Sequence, residues 1–159
     1  SFPVELRLRT TEDGLRMFAK PIEEIANLRR NTYSIPAQSL PDGQSRSASA
    51  SGILFDIRAE FEVGDAEKVV ISGNGLKITY DAINKTLLNF PLEPQDGRVR
   101  IQAIVDNSLM EIAGNDGRIM IHRWHGHSVE VDEIEITAHG GDARLINFDA
   151  HELKSIWRD

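Results

Sequence analysis

VRIQAIVDNSLMEIAGNDGR, residues 99–118, decides the fold. Val99, Ile101, Ala103 and Val105 lie on one side of a period-two pattern, with Arg98, Arg100, Gln102 and Asp106 on the other. That alternation predicts a strand with one buried face. A second short strand, residues 109–113, follows, and alternation aims Glu111 away from Met110 and Ile112. Asn115-Asp116-Gly117 is a tight hairpin signal, and residues 119–123 read as the returning strand.

The same period continues in both directions. Phe55, Ile57, Ala59, Phe61 and Val63 face one way, while Asp56, Arg58, Glu60 and Glu62 face the other. Residues 68–72, 76–81 and 86–90 read as strands separated by turns at Gly73-Asn74-Gly75 and residues 81–85. Two longer strands, 129–139 and 143–153, flank Gly140-Gly141-Asp142. Near the start, Val4, Leu6 and Leu8 alternate with charged residues and pair as a hairpin with residues 15–18. Pro21 then opens a short helix in which Ile22, Ile25 and Leu28 share a face and Glu23 and Glu24 suit the positive end of the dipole. Residues 31–52, rich in Ser, Pro, Ala and Gly, read as a long loop or edge segment. Phe55, Phe61 and Tyr80 are predicted to be core. The expectation is a single all-β domain over residues 1–159, a two-sheet antiparallel β-sandwich with one short helix near the N-terminus.

Composition limits the partners. The chain has 159 residues, 40% of them hydrophobic and 27% charged, which suits one globular domain. Its net charge of −7 repels a phosphate backbone, so no nucleic-acid partner is expected. No run of apolar residues is long enough for a membrane span, so no membrane partner is expected either. The opening SFPVELRLRT is neither a basic leader nor an apolar signal and reads as a cut within a longer chain. The absence of cysteine excludes a disulfide frame, a thiol nucleophile and a zinc–thiolate site.

Candidate chemistry is sparse. The 25 acidic residues allow many imagined carboxylate pairs, but most fall on outward strand positions where solvation is the default. His122, His125 and His127 in IHRWHGH lack companion thiolates, and the plainer account is a polar loop beside Trp124. No G-x-S-x-G elbow, phosphate loop or dinucleotide fingerprint is present. No catalytic residue, metal or cofactor is therefore expected. Trp157, near the terminus, is expected to pack against the body of the domain or against a neighbouring domain. The remaining candidates are the outward row Arg98, Arg100 and Gln102, with Asp106, Glu111, Asp116, Arg118 and Trp124. Two accounts stand side by side. One is a solvated sheet face with cross-strand ion pairs. The other is a shallow site where carboxylate and guanidinium groups grip adjacent sugar hydroxyls and Trp124 offers a stacking platform.

Four segments carry a resemblance: FPVELRLRTTEDGLRMFAKPIEEIANLR (2–29), ITYDAINKTL (78–87), IVDNSLMEIAGNDGR (104–118) and HELKSIW (151–157). In this order they resemble the C-terminal β-sandwich of glycoside hydrolase family 32, the levanases, inulinases and invertases, and its levanase-type versions related to carbohydrate-binding module family 66. The third looks like the V-D-R-S-S-V-E-x-F-x-N-D-G signature, with Asn107 where the family often has Arg, Leu109-Met110 for Ser-Val, and Ala113 for Phe. Residues 1–29 then look like the segment leading from a catalytic β-propeller, whose own motifs are absent from this chain. The resemblance implies a concanavalin-like or jelly-roll sandwich and a non-catalytic, lectin-like accessory domain. It also implies β-fructosyl residues of levan or inulin as ligand, the propeller as partner, and an extracellular or periplasmic place within a secreted enzyme. The alternative is a purely structural sandwich that packs on the propeller or forms a dimer contact.

Overall fold

The structure is a computed structural model, and it describes residues 2–124 and 130–155. Among the described residues there are fifteen strands and one short helix. Strands β1 (Val4–Thr11) and β2 (Gly14–Pro21) form a hairpin that is a sheet of its own. The rest is a sandwich. One sheet has the order β10-β9-β8-β7-β14-β5 and the other β13-β12-β11-β6-β15-β3, with β4 also paired to β15. Every registered strand pair is antiparallel.

The first sheet comprises β5 (Ser45–Ala48), β7 (Lys68–Gly73), β8 (Leu76–Asp81), β9 (Thr86–Leu87), β10 (Phe90–Pro91) and β14 (Ile134–His139). The second comprises β3 (Arg29–Ile35), β4 (Gln38–Leu40), β6 (Phe55–Glu62), β11 (Arg98–Asp106), β12 (Leu109–Gly114), β13 (Ile119–Trp124) and β15 (Ala143–Leu153). Their inner faces meet in one apolar core that includes Phe55, Phe61, Tyr80, Phe148, Ile57 and Ile78, all fully buried. Phe61 meets Tyr80 edge to face, ring centroids 6.0 Å apart. The buried Tyr80 hydroxyl donates to the Leu92 carbonyl at 3.0 Å. Burial, with the nearby charges of Glu93 and Asp81, pushes its phenol up to about 12.

The expected architecture stands, with local differences. Of the two readings of residues 31–52, a long loop or an edge segment, the structure gives the edge segment: they contain most of β3 and all of β4 and β5, and β3 and β5 are the end strands of their sheets. Their partners are β15 and β14, distant in sequence, and only scattered residues such as Ile35, Leu40 and Ala48 are buried, so no clear alternation announces them. The short helix, Glu23–Leu28, is a 3-10 helix, and the three-residue spacing of Ile22, Ile25 and Leu28 is that helix's own period. The strand expected over 86–90 is broken by left-handed Leu88 (φ 49°) and Asn89 (φ 73°) into β9 and β10. The strand expected from 129 begins at Ile134, with Val131 only bridged to Gly52.

The outer face of the second sheet is partly covered. Ile104 has the parity of the polar row, yet it is buried with Ile25 and Leu153 beneath Phe2, Ile22, Leu28 and Leu54. The N-terminal segment therefore forms a second, small apolar cluster on the back of the sandwich.

Candidate functional site

The outer face of β6, β11 and β12 carries a polar lattice set by register. Gln102 stands opposite Arg58, Arg100 opposite Glu60, and Arg98 opposite Glu62. Asp56, fully buried, collects a hydrogen bond from Arg29, one from Gln102 Nε2 at 2.9 Å and one from Arg58 Nε at 3.2 Å. Arg100 pairs with Glu60 at 3.2 Å and reaches Asp116 at 4.0 Å. Arg98 pairs with Glu62 at 3.1 Å and with Glu60 at 3.4 Å.

Over this lattice lies an open cleft of about 470 Å³. It is lined by Arg58 and Glu60 of β6, Arg100 and Gln102 of β11, Asp116 of the β12–β13 turn, and Lys20, Pro21, Glu23 and Ala26 of the N-terminal segment. The cleft thus sets carboxylate acceptors beside guanidinium, amide and ammonium donors, partly desolvated by the sheet below. Among the described residues no group of His, Asp and Glu is arranged to hold a metal.

The turn that places Asp116 is built from Asn115 (φ 45°), Asp116 (φ 58°) and Gly117 (φ 91°), all left-handed. Fully buried Asn115 locks it: its Oδ1 accepts the Arg100 N–H at 2.9 Å and its Nδ2 donates to the Glu93 carbonyl at 2.7 Å.

Of the sequence candidates, Arg100, Gln102 and Asp116 line the cleft. Arg98 lies beside it in the Glu60–Glu62 ion pairs. Glu111, a candidate acceptor for sugar hydroxyls, lies outside the cleft lining. It does point to the outer face, but it is only 1% exposed, accepts the Phe2 N–H at 3.1 Å and lies 3.5 Å from His122 Nδ1. The N-terminal segment, folded back over it, is the reason. Asp106 accepts the N–H of its neighbour Asn107 at 2.8 Å, outside the cleft lining. Arg118 is turned away, donating to Asp13 and, at 3.4 Å, to Thr11 Oγ1, with its guanidinium over the Phe18 ring. Trp124, 71% exposed, ends β13 in the register position next to Leu109, clear of the cleft walls. His125, His127 and Trp157 lie outside the described residues.

Asp56, Arg58 and Glu60 were legible as a polar strand face, but their meeting with Gln102 and Arg100 was not, because register between distant strands leaves no mark in either strand alone. Arg29 and Lys20 join from elements expected to be a linking segment. On the same face, burial and the charge of Arg29 hold the His151 ring below the ordinary histidine value, against Asp56 and Asp149. Its Nδ1 lies 2.9 Å from Thr32 Oγ1. Burial works to raise the Asp149 carboxyl, yet hydrogen bonds from Ser34 and Asn147 bring it down overall.

The family described as "Glycosyl hydrolases family 32 C terminal" matches residues 24–152. A levanase of Bacillus sp. (strain L7) is 26% identical over 188 residues, covering 100% of this chain and 20% of the levanase. The levanase of Bacillus subtilis (strain 168) is also 26% identical, covering 99% of this chain and 27% of that protein. This chain therefore spans only a minor part of these relatives. Among solved structures, exo-inulinase from Aspergillus awamori superposes with a TM-score of 0.81 at 17% identity, over 99% of this chain and 36% of that one. A β-fructofuranosidase from Schwanniomyces occidentalis complexed with fructosyl-erythritol gives 0.72 at 17%, over 98% and 40%. At these identities the structural likeness is one of fold.

Proposed function

Because the chain belongs to the glycosyl hydrolase family 32 C-terminal family, whose sandwich is the non-catalytic part of these enzymes, we propose that it is the accessory domain of a secreted fructan-degrading hydrolase and binds β-fructosyl residues of levan or inulin. The supporting observation is the cleft in which Arg100, Gln102 and Asp116 converge with Arg58 and Glu60. Vicinal hydroxyls need donors and acceptors set side by side, and this floor offers both. No bond is made or broken. The site holds a terminal fructosyl unit weakly, since few polar contacts offset the lost hydration and ordering. Trp124, exposed on the same side of the sheet, is the platform for a further unit of a polymer.

Isothermal titration of the chain with levan, inulin and fructose tests this. Binding is expected, with levan or inulin tighter than fructose. Arg100→Ala is expected to lose about 1.5–3 kcal/mol of binding, the worth of a charge-assisted hydrogen-bond set, with the melting temperature nearly unchanged. No heat of binding for any of the three sugars would overturn the proposal.

A specific observation favours a second, purely structural function. Leu6, Leu8, Leu15 and Met17 are all more than half exposed on one face of the β1–β2 hairpin, which precedes the family-matched residues. Such an apolar face fits a protein partner, here the catalytic β-propeller of the parent enzyme. In the parent, Leu8→Lys with Met17→Lys is then expected to lower the melting temperature while leaving that of the isolated chain unchanged.

A further inference from the structure

The surface between Glu111 and Arg118 meets the N-terminal hairpin along a line of specific contacts. The Ala19 N–H donates to the Gly117 carbonyl at 2.9 Å, joining the hairpin to the turn by a backbone bond. An added Cβ on Gly117 would lie 2.4 Å from the Ala19 carbonyl oxygen, so only glycine admits this approach, and its φ of 91° independently favours glycine. Phe18 of the hairpin is buried, 4% exposed, with the Arg118 guanidinium 5.9 Å and that of Arg9 4.7 Å from its ring centroid. Arg118 also ties down the far end of the hairpin through Asp13 and Thr11. Lys20 and Pro21, immediately after this seam, line the cleft together with Arg100 and Gln102.

We propose that the Asn115–Arg118 turn is the docking site of the N-terminal hairpin, and that docking is what closes one wall of the cleft. The hairpin suits such a separable part. It is hydrogen-bonded as its own two-stranded sheet, and its backbone hydrogen bond to the sandwich runs to the turn, while β2 also lies against β12 and β13 beside that turn. The turn therefore has two duties: Asp116 faces the cleft while Gly117 and Arg118 hold the hairpin. A ligand that touches both Lys20 and the sheet favours the docked hairpin, and the docked hairpin favours that ligand by the same factor. Docking itself follows from the contacts of Ala19, Phe18 and Asp13 with Gly117 and Arg118. Only its consequence for sugar affinity rests on the fructan proposal.

The absence of cysteine from the chain allows a clean test. Ala113, 3% exposed, lies on the cleft floor. In an Ala113→Cys variant of the whole chain, the rate of labelling by a disulfide-based thiol reagent reports whether the cleft is covered. Adding Gly117→Ala is expected to speed labelling roughly tenfold or more and to raise amide exchange in β1 and β2, with β6 and β11 still protected. An unchanged labelling rate or unchanged hairpin protection overturns the proposal. If Gly117→Ala also strips protection from β6 and β11, Asp13→Ala, placed on the hairpin turn, carries the same comparison. There a faster rate supports docking and an equal rate overturns it. Saturating levan is expected to slow labelling with Gly117 intact. If levan changes nothing while Gly117→Ala still exposes the thiol, docking holds and the fructan proposal fails.

Discussion

Asp56 is the side chain on which the outer face turns. It is fully buried, and Arg29, Arg58 and Gln102 all donate to it. A buried carboxylate is tolerated only with such compensation, and removing it leaves the cations unmatched. Asp56→Ala is expected to destabilise the fold by about 3 kcal/mol, near the lower bound for breaking a buried pair because Arg58 is partly solvated. Urea unfolding of both proteins measures this. His151 makes the same region sensitive to pH. Its folded-state value lies below the ordinary 6.5, chiefly through burial. As pH falls below 6.5 the unfolded chain takes up the proton first, so the stability carried by the neutral ring is complete above that value and declines below it. Urea midpoints for wild type are expected to fall from about pH 7.5 to about pH 5.5, and His151→Gln to flatten part of that slope.

At the scale of elements, the β12–β13 connection is over-determined. Three consecutive left-handed residues are held by the Asn115 side chain, which bridges β11 and the segment near Glu93. Asn tolerates φ 45° better than Ala, and its removal also leaves the Arg100 N–H and the Glu93 carbonyl without their partner. Asn115→Ala is therefore expected to destabilise by about 2–4 kcal/mol, and, by loosening the turn, to raise amide exchange in the hairpin as well. Thermal melts and exchange rates check the two parts. A change confined to stability, with hairpin exchange unaltered, would separate the turn's packing duty from its docking duty. The hairpin's own exposed apolar face matters little here: Leu15→Lys is expected to shift stability by no more than about 0.5 kcal/mol.

For the whole molecule, a single core links the two large sheets, and one 3-10 turn is the only helix among the described residues. Far-UV circular dichroism is expected to be dominated by β signal. A helical spectrum would overturn the architecture. The deeply buried aromatics bear on cooperativity. Phe61→Ala is expected to lose about 3–5 kcal/mol, which chemical unfolding would register as a lower midpoint with the slope unchanged.

The sequence alone determined the class of fold, because period-two alternation at 55–63 and 99–105 admits only half-buried strands, and the Asn-Asp-Gly turn announced its hairpin. It also marked Arg100, Gln102 and Asp116 as polar and outward. Only the tertiary structure decided that these three share a cleft, since that depends on β11 pairing β6 in one register and on the turn's left-handed backbone. Strands β3 to β5 were hidden for a related reason: they are polar, sparsely buried segments whose strand character comes from partners far along the chain. Glu111 is the clearest division between the two. Alternation correctly sent it to the outer face, but whether that face met water or the N-terminal segment was a question of long-range packing, and the chain that covers it lies more than a hundred positions earlier.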